Sequence, residues 1–555
     1  MKKNLSEQFV SATLWNAILF PARLGVGVLA SVIYYQRLSL DQVGVLFLLQ
    51  SLATTIGLYA DMGIERTLPR FLPEVEKASG REGVKRLMTR VIRLKLLVLL
   101  VLVAVLAVFA APLTQALVRH EKKEIVSWRA EMGTLDRPRA EARSLEKKVA
   151  AKEAVVRELE DRGGLFLGAV GVLLVLGALF DVYMQFLTAY LKQRSWNLIT
   201  LTSTLLQPVL VTAFLLAGLG IQGVLIGLVA APFVSVLLAA WQVSRASREL
   251  EEQVSEAREP PALTSRFARF AAVNYLMQVT TWIYDLQFVV FLSAATLSLS
   301  DVALLGFAYK FAKDFLGYVW TPLTGVTTPI LSRVHARGDN GALQEAHGAL
   351  TRLIWLMLTP AGVGLLVLAP EVLRLLYPRY TGTTLLVGVF VAFTFGESLL
   401  SVPQNVLMVV ERYRPVVIAR LVAFLTIPLV SLLLPRYGIL GVALAAGSTR
   451  FLSRVVTLGW GMGELGLRFP LAFAARVAAA AGLMGAVVLV GVRAFGHPVS
   501  GLSRVAAFYD LAFSAPLGAL VFLLVFKMLG GLDQADRRRL RDFSPGWLRV
   551  LSRVV

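Results

Sequence analysis

The feature that most constrains this 555-residue chain is a repeat lying beneath its hydrophobicity. Leu38-Ser39-Leu40-Asp41-Gln42-Val43 returns as Leu297-Ser298-Leu299-Ser300-Asp301-Val302, each copy just before a long apolar run. Gly220-Ile221-Gln222-Gly223-Val224 returns as Gly438-Ile439-Leu440-Gly441-Val442. The second pair is closer together than the first by about the length of a charged block near 120–163. With that block set aside, two similar bundles stand in tandem. Internal repeats around a midplane site imply a secondary transporter.

A mean hydropathy of +0.68 and 56% apolar residues exclude an ordinary soluble globule. Fourteen apolar runs are long enough to span a bilayer, roughly at 12–35, 43–63, 91–117, 164–189, 197–218, 221–242, 268–292, 302–328, 352–376, 383–409, 415–434, 438–460, 471–492 and 508–529. The alternation expected of a membrane barrel is missing, so the spans are read as helices. The net charge is +20, but Lys and Arg crowd into alternate loops at 65–95, 192–194, 245–269, 333–352, 412–420 and the tail. That asymmetry places both termini in the cytoplasm. It makes anionic membrane lipid, and not nucleic acid, the partner of the basic surface. Cysteine is absent, which excludes disulfides and thiolate metal sites. Met1-Lys2-Lys3 and its apolar stretch are read as an uncleaved first span, because the stretch is long and holds Pro21 and Arg23.

The expected fold is therefore an all-α polytopic membrane protein of about fourteen transmembrane helices. Residues 1–245 form a six-helix bundle, 246–266 a cytoplasmic linker and 267–463 a second six-helix bundle. Residues 464–530 add two helices, and 531–555 make a basic cytoplasmic tail. The charged block 119–163 interrupts the first bundle. Its second arm places Leu145, Val149, Lys152, Val156 and Leu159 near heptad spacing, and its first arm places Ile125, Trp128, Met132 and Leu135 on one face. With turn residues from Gly133 to Pro138, this is a helical hairpin extending spans three and four on the periplasmic side. It serves as a spacer or as a docking element.

Ionisable groups at membrane depth are costly and become functional candidates. Span eight carries Lys310, Lys313, Asp314 and Tyr318 on one helical face, with Ser51, Thr54, Thr55 and Tyr59 at the repeat positions of span two. Two cations facing a cavity suit an anionic substrate. Span seven offers Asn274, Gln278 and Asp285; a carboxylate buried there would take up a proton or Na⁺, unless Arg23 of span one pairs with it. Asp181 in span four, and Glu397, Gln404 and Asn405 in span ten, are further candidates, although such amides also hold helices together. The substrate-binding set is Arg23, Lys310, Lys313, Tyr318, Asn274, Gln278, Gln404 and Asn405. The ion-coupling set, for H⁺ or Na⁺, is Asp285, Asp314, Glu397 and Asp181. Asp61, Glu65, Arg66 and Arg70, at the end of span two, form a gate or a solvated helix end. The G-x-G-x-x-G at 218–223 lies between two apolar helices and reads as a tight turn, not a nucleotide fingerprint. No Walker loop, zinc motif or nucleophile elbow occurs, so neither catalytic residues nor a bound cofactor are expected.

The run Leu38-Ser39 to Val43-Gly44, Asp61-Met62-Gly63-Ile64-Glu65-Arg66 and Arg70-Phe71-Leu72-Pro73-Glu74 resembles the Wzx-type polysaccharide flippases of the multidrug/oligosaccharidyl-lipid/polysaccharide (MOP) exporter superfamily. The resemblance implies translocation of undecaprenyl-pyrophosphate-linked oligosaccharide across the bacterial inner membrane by alternating access, feeding O-antigen, capsule or exopolysaccharide assembly alongside polymerase and chain-length machinery. Under it, Arg23, Lys310 and Lys313 neutralise the pyrophosphate or acidic sugars, and Asp285 or Asp314 couples a cation. The alternatives are a lipid II flippase, which the count of fourteen spans resembles, and a cation-coupled drug antiporter of the same superfamily. A membrane enzyme is disfavoured, because the one large loop reads as coiled coil.

Overall fold

The computed structural model describes residues 25–134, 139–190, 192–250, 261–283, 288–290, 296–335, 340–495 and 504–532. Arg23, Asp285, much of the linker 246–266 and nearly all of the tail 531–555 lie outside them. The regular structure of the described residues is helical throughout. Two compact units form, Met1–Ala303 and Leu304–Val555. The first holds α1 (25–37), α2 (Leu40–Asp61), α3 (Ile64–Thr134), α4 (Arg139–Ala189), α5 (Gln193–Leu216), α6 (Gly220–Ser247), α7 (Pro261–Ile283) and the first residues of α8 (Leu299–His335). The second holds the rest of α8, then α9 (Asn340–Leu376), α10 (Thr384–Leu399), α11 (Val402–Val409), α12 (Tyr413–Leu421), α13 (Thr426–Leu465), α14 (Leu471–Phe495) and α15 (Arg504–Met528).

Among the described residues, ten helices are long and apolar enough to cross a membrane. They hold expected spans two to six and nine to fourteen, with spans eleven and twelve joined in one element. Spans one and seven fall partly outside the described residues. α8, with Lys310, Lys313 and Asp314, is not among the ten. The chain is a multi-pass helical membrane protein. In the second unit, α14 and α15 pack on each other and on α9 through Phe473, Val477, Met484, Phe522 and Phe526, with Trp355 and Val363 of α9 against them.

The repeated hexamers are two helix starts. Ser39 caps α2: its Oγ accepts from the Gln42 amide at 3.2 Å, and Gln42 Oε1 accepts from the Ser39 amide at 3.1 Å. Ser298 stands in the same place before α8, where its Oγ accepts from the Asp301 amide at 3.2 Å. Leu38 and Val43, like Leu297 and Val302, occupy the positions of a hydrophobic staple, and all four are buried. The repeated glycines are turns. Gly220 has φ +54° between α5 and α6, and Gly438 has φ +55° inside α13. Gly438 reverses the chain, because the Thr426 and Thr449 hydroxyls meet at 2.7 Å. Those 23 positions would span about 35 Å in a straight helix.

α3 and α4 run far beyond their apolar stretches. From Phe109 to Thr134 the helix extends roughly 35–40 Å. Ile125, Val149, Val155, Val156 and Leu159 bury one stripe between the two arms. Lys122–Glu160 and Arg129–Glu153 bridge the outside, each at 2.5 Å. At the base, the Lys152 side chain is 1% exposed. It meets Glu121 at 2.7 Å, Glu124 and, at 3.9 Å, Asp41 of α2, and it lies over the Trp128 ring. Glu121 Oε1 also accepts from the Leu299 amide at 3.0 Å, the first of α8. A Cβ on Gly44 would overlap the Leu299 carbonyl, so the two helix starts touch backbone to backbone. The hairpin is thus anchored on both repeat hexamers.

Removing one partner of a buried ion cluster leaves charge uncompensated. Lys152→Ala is expected to destabilise the detergent-solubilised protein by about 3–5 kcal/mol. Lys122→Ala, in an exposed pair, should change stability by less than about 1 kcal/mol. Thermal unfolding of the two variants side by side checks this, and equal losses would contradict it.

Candidate functional site

Two glycine-dependent reversals assemble a charged cavity in the first unit. α2 ends at Met62, which is left-handed at φ 52°, and Gly63 follows at φ +70°. A Cβ on Gly63 would fall inside the carbonyl oxygen of Ala271 in α7, so only glycine fits this approach. The tight turn sets Asp61, the last residue of α2, beside Glu65 in the first turn of α3, where the Glu65 amide donates to Asp61 Oδ1 at 3.4 Å. The second reversal is Gly80, at φ 58° and ψ −160° inside α3. Along a straight helix Lys95 would stand about 45 Å from Glu65. Folded back at Gly80, Lys95 Nζ lies 3.4 Å from Glu65 Oε1 and 2.9 Å from Asp61 Oδ1.

Asp181 of α4 completes the group, lining the same cavity. A cavity of about 390 Å³ opens on the cluster, lined by Thr54, Gly57, Asp61, Glu65, Lys95, Gly177, Asp181 and Gln278 together with apolar side chains. Lys95 and Asp61 are 2% and 3% exposed. Asp61 Oδ2 is buried without a hydrogen-bond partner among the described residues. Three carboxylates therefore surround one ammonium. The arrangement can hold and release a proton, and its unequal charge favours doing so in a low-dielectric setting.

The second unit gathers charge of the opposite sign. Glu397 of α10 accepts from Arg450 at 2.9 Å and Arg454 at 3.2 Å, both on α13. Arg454 also donates to Gln404 of α11, and Arg450 Nη1 donates to the Tyr309 hydroxyl at 2.9 Å. Lys313 lies 5.5 Å from the centre of the Tyr309 ring.

The structure brings Asp61, Glu65, Asp181 and Gln278 into one cavity, although the sequence placed them in three separate groups. Arg70 is not there: it stacks on Phe270 of α7 at 4.6 Å. The side chain of Arg66 lies outside the described residues. Asn274 donates to the Phe270 carbonyl at 3.0 Å. Lys310 pairs with Asp314 at 2.9 Å, both about half exposed. Tyr318 and Asn405 are half-buried. Sequence reasoning missed Lys95, Arg450 and Arg454. Each lies inside an expected span, and an intramembrane cation was the signal that marks them. Among charged groups outside the spanning segments, the Lys192 side chain donates to Glu249, and this bond followed by the ammonium charge holds the Glu249 carboxyl below its usual range.

Gly63→Ala is expected to collapse this site, because both the positive φ and the missing space oppose a side chain. Gly218→Ala also meets a positive φ but open space, and should cost only about 1–2 kcal/mol. A thermal midpoint for Gly63→Ala no lower than that for Gly218→Ala would refute the account.

A family model described as "Polysaccharide biosynthesis protein" matches residues 160–380. A search of curated protein sequences finds no match. Among solved structures, the lipid II flippase MurJ in an inward closed conformation aligns with TM-score 0.65 and 15% identity, over 92% of this chain and 98% of that one. An inward-facing multidrug resistance MATE family transporter of the MOP superfamily aligns with TM-score 0.56 and 14% identity, over 80% of this chain and 94% of that one. The chain shares the fold of these two transporters.

Proposed function

We propose that the protein is a flippase that moves undecaprenyl-pyrophosphate-linked oligosaccharide across the bacterial inner membrane by alternating access, with both termini cytoplasmic. The observation that carries this reading is the pairing of a polysaccharide-biosynthesis match with a transporter fold. Under this reading the Asp61–Glu65–Lys95–Asp181 cavity is the coupling site, and the proton is its cation. Three carboxyl groups around one ammonium leave excess negative charge, which a proton would relieve. Lys310, Lys313 and Arg23 remain candidates for the anionic headgroup, and surface-polymer machinery for the downstream partner.

A lipid II flippase is the second reading. The likeness to MurJ favours it, as do α14 and α15, which bring the expected number of spans to fourteen. A drug antiporter is the third, favoured by the MATE likeness.

A deletion strain separates them. The proposal expects viable cells without surface polymer and with lipid-linked repeat units trapped on the cytoplasmic face. Lysis would favour the lipid II reading. Intact polymer with altered sensitivity to cationic dyes would favour the antiporter. In the same strain, Asp181→Asn and Glu65→Gln, at normal protein level, are expected to leave export at a small fraction of wild type. They should also abolish the response of export to a proton uncoupler. Full, uncoupler-sensitive export by both variants would remove the cavity from the mechanism.

A further inference from the structure

We propose that the helical hairpin is a releasable strap: Glu121, held by Lys152, caps the start of α8 and keeps it on the start of α2, and lets go when the two starts part. The parting rests on the transporter reading. The strap itself stands on residues of the first unit alone.

The first amides of a helix have no partner inside it and need acceptors from outside. α8 finds them in two places. Ser298 Oγ takes the Asp301 amide at 3.2 Å, a bond local to the helix start. The Leu299 amide donates instead to Glu121 Oε1 at 3.0 Å, a carboxylate 178 positions earlier in the chain. A carboxylate at this position also meets the positive end of the helix dipole. Glu121 is 1% exposed, and its other oxygen lies 2.7 Å from Lys152 Nζ, which fixes its aim. Behind it the two hairpin arms are held together by their buried stripe and outer ion pairs.

The contacts are distributed so that the strap can open without stranding charge. The short contacts of Lys152 go to Glu121 and Glu124, both on the hairpin, whereas Asp41 of α2 stands 3.9 Å away. When α8 leaves, the ammonium keeps both hairpin carboxylates, so no buried ion loses its partner. The Leu299 amide passes to water, and Ser298 still caps the helix. Where the two starts touch, Gly44 offers no side chain to the Leu299 carbonyl, so nothing interlocks. Opening therefore breaks one charge-assisted hydrogen bond, and that bond sets the ratio of joined to parted starts.

The test uses the absence of cysteine from the chain. Arg37→Cys and Thr296→Cys replace exposed residues just before the two hexamers, and nitroxides are attached to both. Pulsed electron resonance on the full-length protein in phosphatidylcholine nanodiscs reads the joined and parted populations. Wild type is expected to show both, with the joined form in excess. Glu121→Ala should move the ratio toward the parted form by about tenfold to a hundredfold, the loss of one hydrogen bond to a charged group. Glu121→Gln keeps an acceptor and should fall between. Lys122→Ala, in an exposed pair on the same arm, should match wild type. Leu299→Pro removes the donor and leaves a residue suited to the first helical position. It should shift the ratio as Glu121→Ala does, and adding Glu121→Ala to it should change nothing further. That non-additivity separates the bond from a general loss of folding. Equal populations in wild type, Glu121→Ala and Leu299→Pro would overturn the strap, as would an equal shift in Lys122→Ala. Starts that stay joined in every variant would also overturn it, by making the hairpin a fixed brace. The labels need no cargo, so a deletion strain that retires the flippase reading leaves these populations to decide the strap.

Discussion

Charge buried in a low-dielectric interior must be matched, and the first unit meets that constraint twice with one ammonium among three carboxyl groups. Lys152 stands among Asp41, Glu121 and Glu124, and Lys95 among Asp61, Glu65 and Asp181. The two knots involve opposite ends of α2, whose 22 residues measure about 33 Å, close to the thickness of a bilayer's hydrocarbon core. At one end the lysine comes from the charged hairpin and fixes it to the starts of α2 and α8. At the other the lysine comes from the returning arm of α3 and closes a cavity wall. Much of the first unit's tertiary order follows from these two ammonium groups, because each draws together helices far apart in sequence.

What could be read from the sequence was local or periodic. The stripe of Ile125, Val149, Val156 and Leu159 was visible because heptad spacing needs only neighbouring turns, and those side chains are buried between the arms. The glycine pentamers were visible as turns because Gly220 and Gly438 stand where apolar runs break, and both have positive φ. The hexamer repeat was visible as a repeat, but its physical meaning was not. It is a capping serine with a buried staple, placed twice to start two helices.

What could not be read was long-range. The stretch 65–95 is dense in Lys and Arg, and by composition it is a cytoplasmic loop. The structure makes it two arms of α3 folded at Gly80, with Lys95 carried back to Glu65 and buried. Asp61 and Glu65 looked like one end of a helix, and Asp181 like an isolated carboxylate in another. Only the packing of α2, α3 and α4 unites them. Arg450 and Arg454 escaped notice inside a run rich in Ala, Gly and Val, although arginine at that depth is the stronger signal.

The likenesses at 14–15% identity establish a fold, and a fold hosts many chemistries. What distinguishes this chain is where its charge sits. The first unit holds an acid-rich cluster around Lys95, and the second a guanidinium-rich cluster around Glu397. Under the flippase reading proposed above, the acid-rich cluster is where a driving proton would bind.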